Sequence, residues 1–244
     1  MICPHCGYES EGLETCPLCR SPLHPGAATE DGSTTEDPAA SPPPWEDERT
    51  AFPVNLVTTW QQSLFAPTRF FSGVPYGAAA ARPVLYFLVL TVVGALFTLL
   101  WQAFGVEPVS VFEGAIEDIR GPSALVQFFL SPFLGLLRLI VVSLVLHLFV
   151  LMFARARRGL RATVRVVCYS AAPVVFLIVP YLGSWVAMVW VLALQIIGIG
   201  AAHRTTGARA AAIVLIPVAL FILLIVLTAF LVAFMTGVVL EDLQ

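Results

Sequence analysis

The apolar residues of this chain come in long runs without charge. A helix needs about 20 consecutive apolar residues to cross a bilayer, so stretches free of Asp, Glu, Lys and Arg mark candidate spans. One lies between Arg82 and Glu107, at about 83–104, and another between Arg209 and Glu241, at about 210–236. From Val166 to His203 there is no acid, lysine or arginine, a run long enough to cross ~30 Å of hydrocarbon twice. Pro180, Gly183 and Ser184 interrupt that run, which predicts a tight hairpin between spans at about 164–182 and 184–202. A further span at about 132–153 carries Arg138 inside it and follows an apolar stretch, 122–130, read as re-entrant or interfacial. The sum is five spans, with four the nearest alternative count. Ahead of them, at about 54–71, Val54, Val57, Trp60, Leu64 and Phe65 form one apolar stripe among Asn55, Thr58, Thr59, Gln61, Gln62 and Ser63. This predicts a helix in the headgroup region, anchored by Trp60 with Arg69 toward anionic lipid, or the same helix packed against the bundle.

Composition narrows the class. Of the 244 residues 58% are hydrophobic and only 12% charged, about half the charge of an ordinary soluble domain. The expected fold is therefore an all-α polytopic membrane protein. The net charge of −3 hides two regions: the first fifty residues hold ten of the sixteen acids and only Arg20 and Arg49, while the rest carries eleven arginines against six acids. The arginines cluster before the first span (Arg69, Arg82), between the second and third (Arg155, Arg157, Arg158, Arg161, Arg165) and between the fourth and fifth (Arg204, Arg209, with His203). Positive loops stay cytoplasmic, so an odd span count with the N-terminus inside and the C-terminus outside satisfies every loop. No leader peptide is expected, because Met1 runs directly into a cysteine motif.

That motif is Cys3-Pro4-His5-Cys6 followed by Cys16-Pro17-Leu18-Cys19, two CxxC pairs nine residues apart. Two such turns let four thiolates converge on one tetrahedral ion, and the closed shell implies a structural zinc rather than a catalytic one. Iron is the rival metal; paired disulfides or idle thiols are the plainer alternatives. His5 reads as a spacer within the knuckle. A ribbon of residues 1–24 is too small to fold on its own core, so the metal would supply its folding free energy. Residues 25–52 are acidic and rich in Pro, Ala, Ser and Thr, with Pro42-Pro43-Pro44 before Trp45, and read as a disordered tether. The membrane domain then occupies 53–240. The acidic surroundings of the ribbon oppose nucleic-acid binding.

Inside the membrane, ionisable and polar groups are functional candidates by default. Arg138 is expected to snorkel toward the interface; His147, with Ser143 one turn before it, and Gln195 complete a candidate polar site for proton or solute handling. Cys168 reads as a small buried hydrophobe. HExxH, GxSxG and phosphate-binding glycine loops are absent and no acid lies within a span, which predicts a non-enzymatic protein without carboxylate-coupled transport.

The segment from Ser63 through Pro67 to Phe70-Phe71, and the basic run from Gly159 leading into Tyr169-Ser170-Ala171-Ala172-Pro173, resemble the bacterial membrane branch of the Yip-one (Ypt-interacting protein) domain family over about residues 55–240. The resemblance implies five spans with a cytoplasmic N-terminus, marks Tyr169, Ser170 and Pro173 as family-motif residues, and makes the zinc ribbon an accessory module. The complete absence of lysine beside thirteen arginines points to a GC-rich bacterial genome, hence to the bacterial cytoplasmic membrane. The expected role is membrane organisation or recruitment of a protein partner through the ribbon. The alternative is a small-solute transporter or channel using Arg138, Ser143, His147 and Gln195.

Overall fold

The computed structural model of the chain describes residues 42–47, 49–106, 124–154 and 158–241, with side chains described to residue 234. By compactness the chain divides into units 1–39 and 40–244, and the described residues belong to the second. The predicted zinc ligands Cys3, Cys6, Cys16 and Cys19, and residues 25–41 of the predicted tether, lie outside them.

Among the described residues seven α-helices and one 3₁₀ segment follow in order: α1 (Val54–Phe65), α2 (Pro67–Gly73), α3 (Ala81–Ala103), α4 (Ala124–Phe153), α5 (Leu160–Tyr169), the 3₁₀ segment (Ala172–Ile178), α6 (Leu182–His203) and α7 (Gly207–Glu241). Five stretches are long and apolar enough to cross a membrane: Ala81–Ala103, Ala124–Phe153, Leu160–Ile178, Leu182–His203 and Gly207–Phe234. Only helices can cross as single segments, because hydrocarbon offers no partner for an unpaired backbone amide. Side-chain hydroxyls inside the spans follow the same rule. Thr91 and Thr98 in α3 and Thr228 in α7 each donate to the carbonyl four residues earlier, at 2.9, 3.2 and 2.8 Å.

The third span is the most enclosed. Ala162, Val166, Val167, Cys168 and Tyr169 are buried on it, against Leu139, Leu146 and Val150 of α4, Tyr86, Phe87 and Leu90 of α3, and Leu194 and Ile199 of α6. It is also the one span that is not a single α-helix. Ser170 turns its hydroxyl back to the Val166 carbonyl at 2.7 Å, and Pro173, lacking an amide proton, sits in the first turn of the 3₁₀ segment. α7 joins the core only through its first turns, with Ala210, Ile213 and Val214 buried; every described side chain from 219 to 234 is exposed on the bundle surface.

Three sequence expectations need correction. The span placed at 132–153 begins at Ala124, and the stretch 122–130 is not a separate re-entrant element from residue 124 onward, because α4 runs unbroken through Pro132. Proline removes the amide that would bond the carbonyl four residues back, that of Phe128; the Ser131 hydroxyl donates to that oxygen instead, at 2.8 Å. The expected single helix at 54–71 is two, α1 and α2, broken at Ala66 ahead of Pro67. Both pack into the bundle: Trp60 donates its indole N–H to the Ala172 carbonyl at 3.0 Å, and Trp190 of α6 donates to the Leu64 carbonyl at 3.2 Å. The buried residues of α1 are Thr59, Ser63 and Leu64, while Val54, Val57 and Phe65 of the apolar stripe face outward. Finally, the tether assigned to 25–52 is held from Pro42 onward, since Trp45 is buried against the bundle.

The fold-back between α5 and α6 sits where the Pro-Tyr-Leu-Gly run predicts. Tyr181 takes a left-handed backbone, φ 61°, and the Gly183 amide donates to the Val179 carbonyl at 3.0 Å. A Cβ on Gly183 would lie 1.9 Å from the Phe176 carbonyl oxygen, so only glycine permits this approach of α6 to the 3₁₀ segment.

Candidate functional site

One end of the bundle gathers the start of α3, the end of α4, the start of α5, the end of α6 and the start of α7; it is called here the arginine end. Two buried polar clusters lie there.

The first is built around Arg165. Arg165 and Tyr169 stand one turn apart on α5 and leave it on one face, both with no solvent exposure. The residue they meet is Glu46. Pro42-Pro43-Pro44 leads into a turn in which the Glu46 amide donates to the Pro43 carbonyl at 2.8 Å. Trp45 then inserts: its amide donates to the Thr59 hydroxyl at 2.8 Å, its indole N–H to the Arg82 carbonyl at 2.6 Å, and its ring lies 6.1 Å from that of Tyr86. With Trp45 seated, the Glu46 carboxylate receives Arg165 Nη1 at 3.2 Å and Arg165 Nη2 on Oε2, and the Tyr169 hydroxyl on Oε1. Arg165 Nη1 also donates to the Ala79 carbonyl at 3.1 Å, and Arg82 Nη1 reaches the Trp45 and Glu46 carbonyls at 3.5 and 3.4 Å. Phe70 and Tyr86 wall the Tyr169 ring at 5.1 and 5.4 Å. Residues 49–106 and 124–240 contain no Asp or Glu, so the described spans have no carboxylate of their own for Arg165.

The second cluster runs His147–Thr163–His203. The Arg158 amide donates to His203 Nδ1 at 3.2 Å, and His203 Nε2 lies 3.1 Å from the Thr163 hydroxyl, which is 3.0 Å from His147 Nδ1. A backbone N–H can only donate, so His203 Nδ1 must be the bare nitrogen and the proton sits on Nε2. Thr163 thereby accepts from His203 and is free to donate to His147. This chain ties α4, α5 and α6 at their arginine ends. Beside it, the Arg158 guanidinium lies 5.2 Å from the Tyr76 ring centroid, and the Tyr76 hydroxyl donates to the Phe71 carbonyl at 2.8 Å. Burial pushes the Tyr76 phenol well above its usual range, so it stays a neutral donor.

The sequence-predicted polar residues are dispersed. Arg138 is exposed on the bundle surface with its guanidinium 5.8 Å from the Phe87 ring centroid. Ser143 is buried and its hydroxyl has no partner among the described residues; His147 pairs with Thr163 rather than with Ser143. Gln195 is buried on α6. Hydrogen bonds join none of these four to another. Tyr169 is in the ion-pair cluster, whereas Ser170 and Pro173 make the break between α5 and the 3₁₀ segment. Among the described residues no group of three or more His, Cys, Asp or Glu is placed to hold a metal ion, and Cys168 is a buried free thiol.

Glu46, Trp45, Thr163 and the inward role of Arg165 and His203 were not foreseen. Arg165 and His203 count as loop positives in a charge tally. The available signal was Arg165 four residues before Tyr169, the last charge before the run turns apolar, and Trp45 as the lone large apolar residue after an acidic run.

Five apolar helices enclosing paired polar groups at one end make this a polytopic helical membrane protein. The Yip1 domain matches residues 62–228, more than half of the chain, and the chain belongs to the Yip1 domain family. Proteins of this family are generally non-enzymatic membrane proteins. The chain has no match among curated proteins and none among solved structures. The matched region contains Arg165 and Tyr169 but not Trp45 or Glu46.

Proposed function

We propose that the chain is a non-enzymatic membrane-organising protein that recruits a protein partner through an N-terminal zinc ribbon. Cys3, Cys6, Cys16 and Cys19 would hold the ion in a closed four-thiolate shell, which supplies folding rather than chemistry. The protein would lie in a bacterial cytoplasmic membrane with the arginine end and the N-terminus inside and the C-terminus outside, as the loop arginines favour. There the thiols meet a reducing compartment.

The observation that carries this reading is the seating of Trp45 and Glu46 in the bundle. It fixes the root of the N-terminal segment, so a module at 1–24 stays within reach of the membrane surface: residues 25–41 fully extended span no more than about 60 Å. The test is metal analysis of the purified full chain combined with crosslinking in native membranes. About one zinc per chain is expected, with a partner crosslinked through residues 1–24, and both should be lost in Cys3→Ser/Cys16→Ser. A metal-free wild type, or the same crosslinks from that variant, overturns the proposal.

A further inference from the structure

The shared membrane domain of this chain carries a fully buried guanidinium whose carboxylate partner is supplied from outside that domain. Burying such a charge unpaired is strongly unfavourable, so this site favours an anion wherever the Glu46 carboxylate is missing. We propose that Arg165, Tyr169 and Arg82 form a phosphate-binding site of the membrane domain, that Glu46 occupies it as a built-in substitute, and that the exchanging ligand is the phosphate of an anionic phospholipid.

Two observations carry this, and neither rests on the zinc-ribbon reading. First, Glu46 fits incompletely. Both terminal nitrogens of Arg165 bond the same oxygen, Oε2, while Oε1 is taken by Tyr169, and the buried Arg165 Nε has no partner among the described residues. The Nε–Nη2 edge is the side of a guanidinium best matched to a second oxygen of an oxyanion, and a phosphate has the oxygens to fill it while keeping Tyr169. Second, the site lies where headgroups lie. Arg165 bonds the Ala79 carbonyl just before α3 begins, and Arg82 in the first turn of α3 reaches the backbone oxygens of residues 45 and 46. A phosphate entering there meets two guanidiniums.

The experiment reconstitutes the full chain in phosphatidylcholine nanodiscs, adds phosphatidylglycerol, and measures retained lipid by native mass spectrometry alongside the melting temperature. Glu46→Gln should retain several-fold more phosphatidylglycerol than wild type and gain more melting temperature from it. Adding Tyr169→Phe, which removes only the hydroxyl, should reduce that gain, and adding Arg165→Gln should abolish it. Inorganic phosphate offered to Glu46→Gln in pure phosphatidylcholine is the second arm. Equal stabilisation by it supports the site but assigns its ligand to free phosphate. If Glu46→Gln gains neither lipid nor phosphate over wild type, or if the gain survives Tyr169→Phe and Arg165→Gln alike, the proposal is overturned.

Discussion

At the scale of single residues, the structure is decided by where charge and polar hydrogen are hidden. Arg165 is fully buried and Glu46 nearly so, with side-chain exposures of 0% and 10%. Such a pair adds little relative to an apolar replacement of both partners, but removing one partner costs about 3–5 kcal/mol because the other charge is left behind. Glu46→Gln and Arg165→Gln should therefore each destabilise strongly in lipid-free detergent, and the double variant should lose far less than their sum. Denaturation midpoints of the four proteins measure the coupling; additive losses would mean that the two side chains do not meet. Thr163→Val keeps the shape of the side chain but cuts both links between His147 and His203. At about 0.5–1.5 kcal/mol per hydrogen bond, a loss of roughly 1–3 kcal/mol is expected in the same assay. The residues in these pairs were hard to read from sequence for a physical reason. Charge counting places an arginine by its neighbours, and Arg165 follows four other arginines at 155, 157, 158 and 161. Its burial depends on a carboxylate 119 positions away, which no local pattern announces.

Helix existence and type, by contrast, were legible, because hydrocarbon imposes one solution on any long uncharged segment. Breaks were legible only where nothing repaired them. The Pro180–Gly183 run does produce a fold-back, since Tyr181 turns the chain with φ 61° and Gly183 admits the Phe176 carbonyl. Pro132 does not break α4, because Ser131 caps the carbonyl it strands. Pro67 does break the 54–71 helix, and no side chain bridges there. The close approach at Gly183 yields a prediction for this scale. Gly183→Ala would force a methyl against backbone that cannot move aside, so α6 and the 3₁₀ segment must separate. The melting temperature should fall by several degrees, whereas Gly77→Ala, with open space around its Cβ position, should leave it unchanged. Equal behaviour of the two variants would contradict the packing of α6 on that segment. The exposed length of α7, residues 219–234, is what a lipid-facing span requires, apolar on every side.

At the scale of the whole molecule, the bundle is asymmetric. Both buried polar clusters lie at one end, with the described Arg158, Arg204 and Arg209. At the other, α3 is joined to the 3₁₀ segment and α4 through Trp101 to the Leu177 carbonyl at 3.0 Å and Gln102 to Gln127 at 3.1 Å. Turn-bearing residues 42–47 pack at the arginine end. If all five candidate spans cross, α7 leads away from it. The most direct measurement is therefore the sidedness of the two termini in native membranes, read from accessibility-dependent reporters fused to residue 1 and to residue 244 of the full chain. An odd number of crossings predicts opposite faces, with the loop between α6 and α7 on the same side as the N-terminus. Both reporters on one face would mean that one of the five apolar helices does not cross.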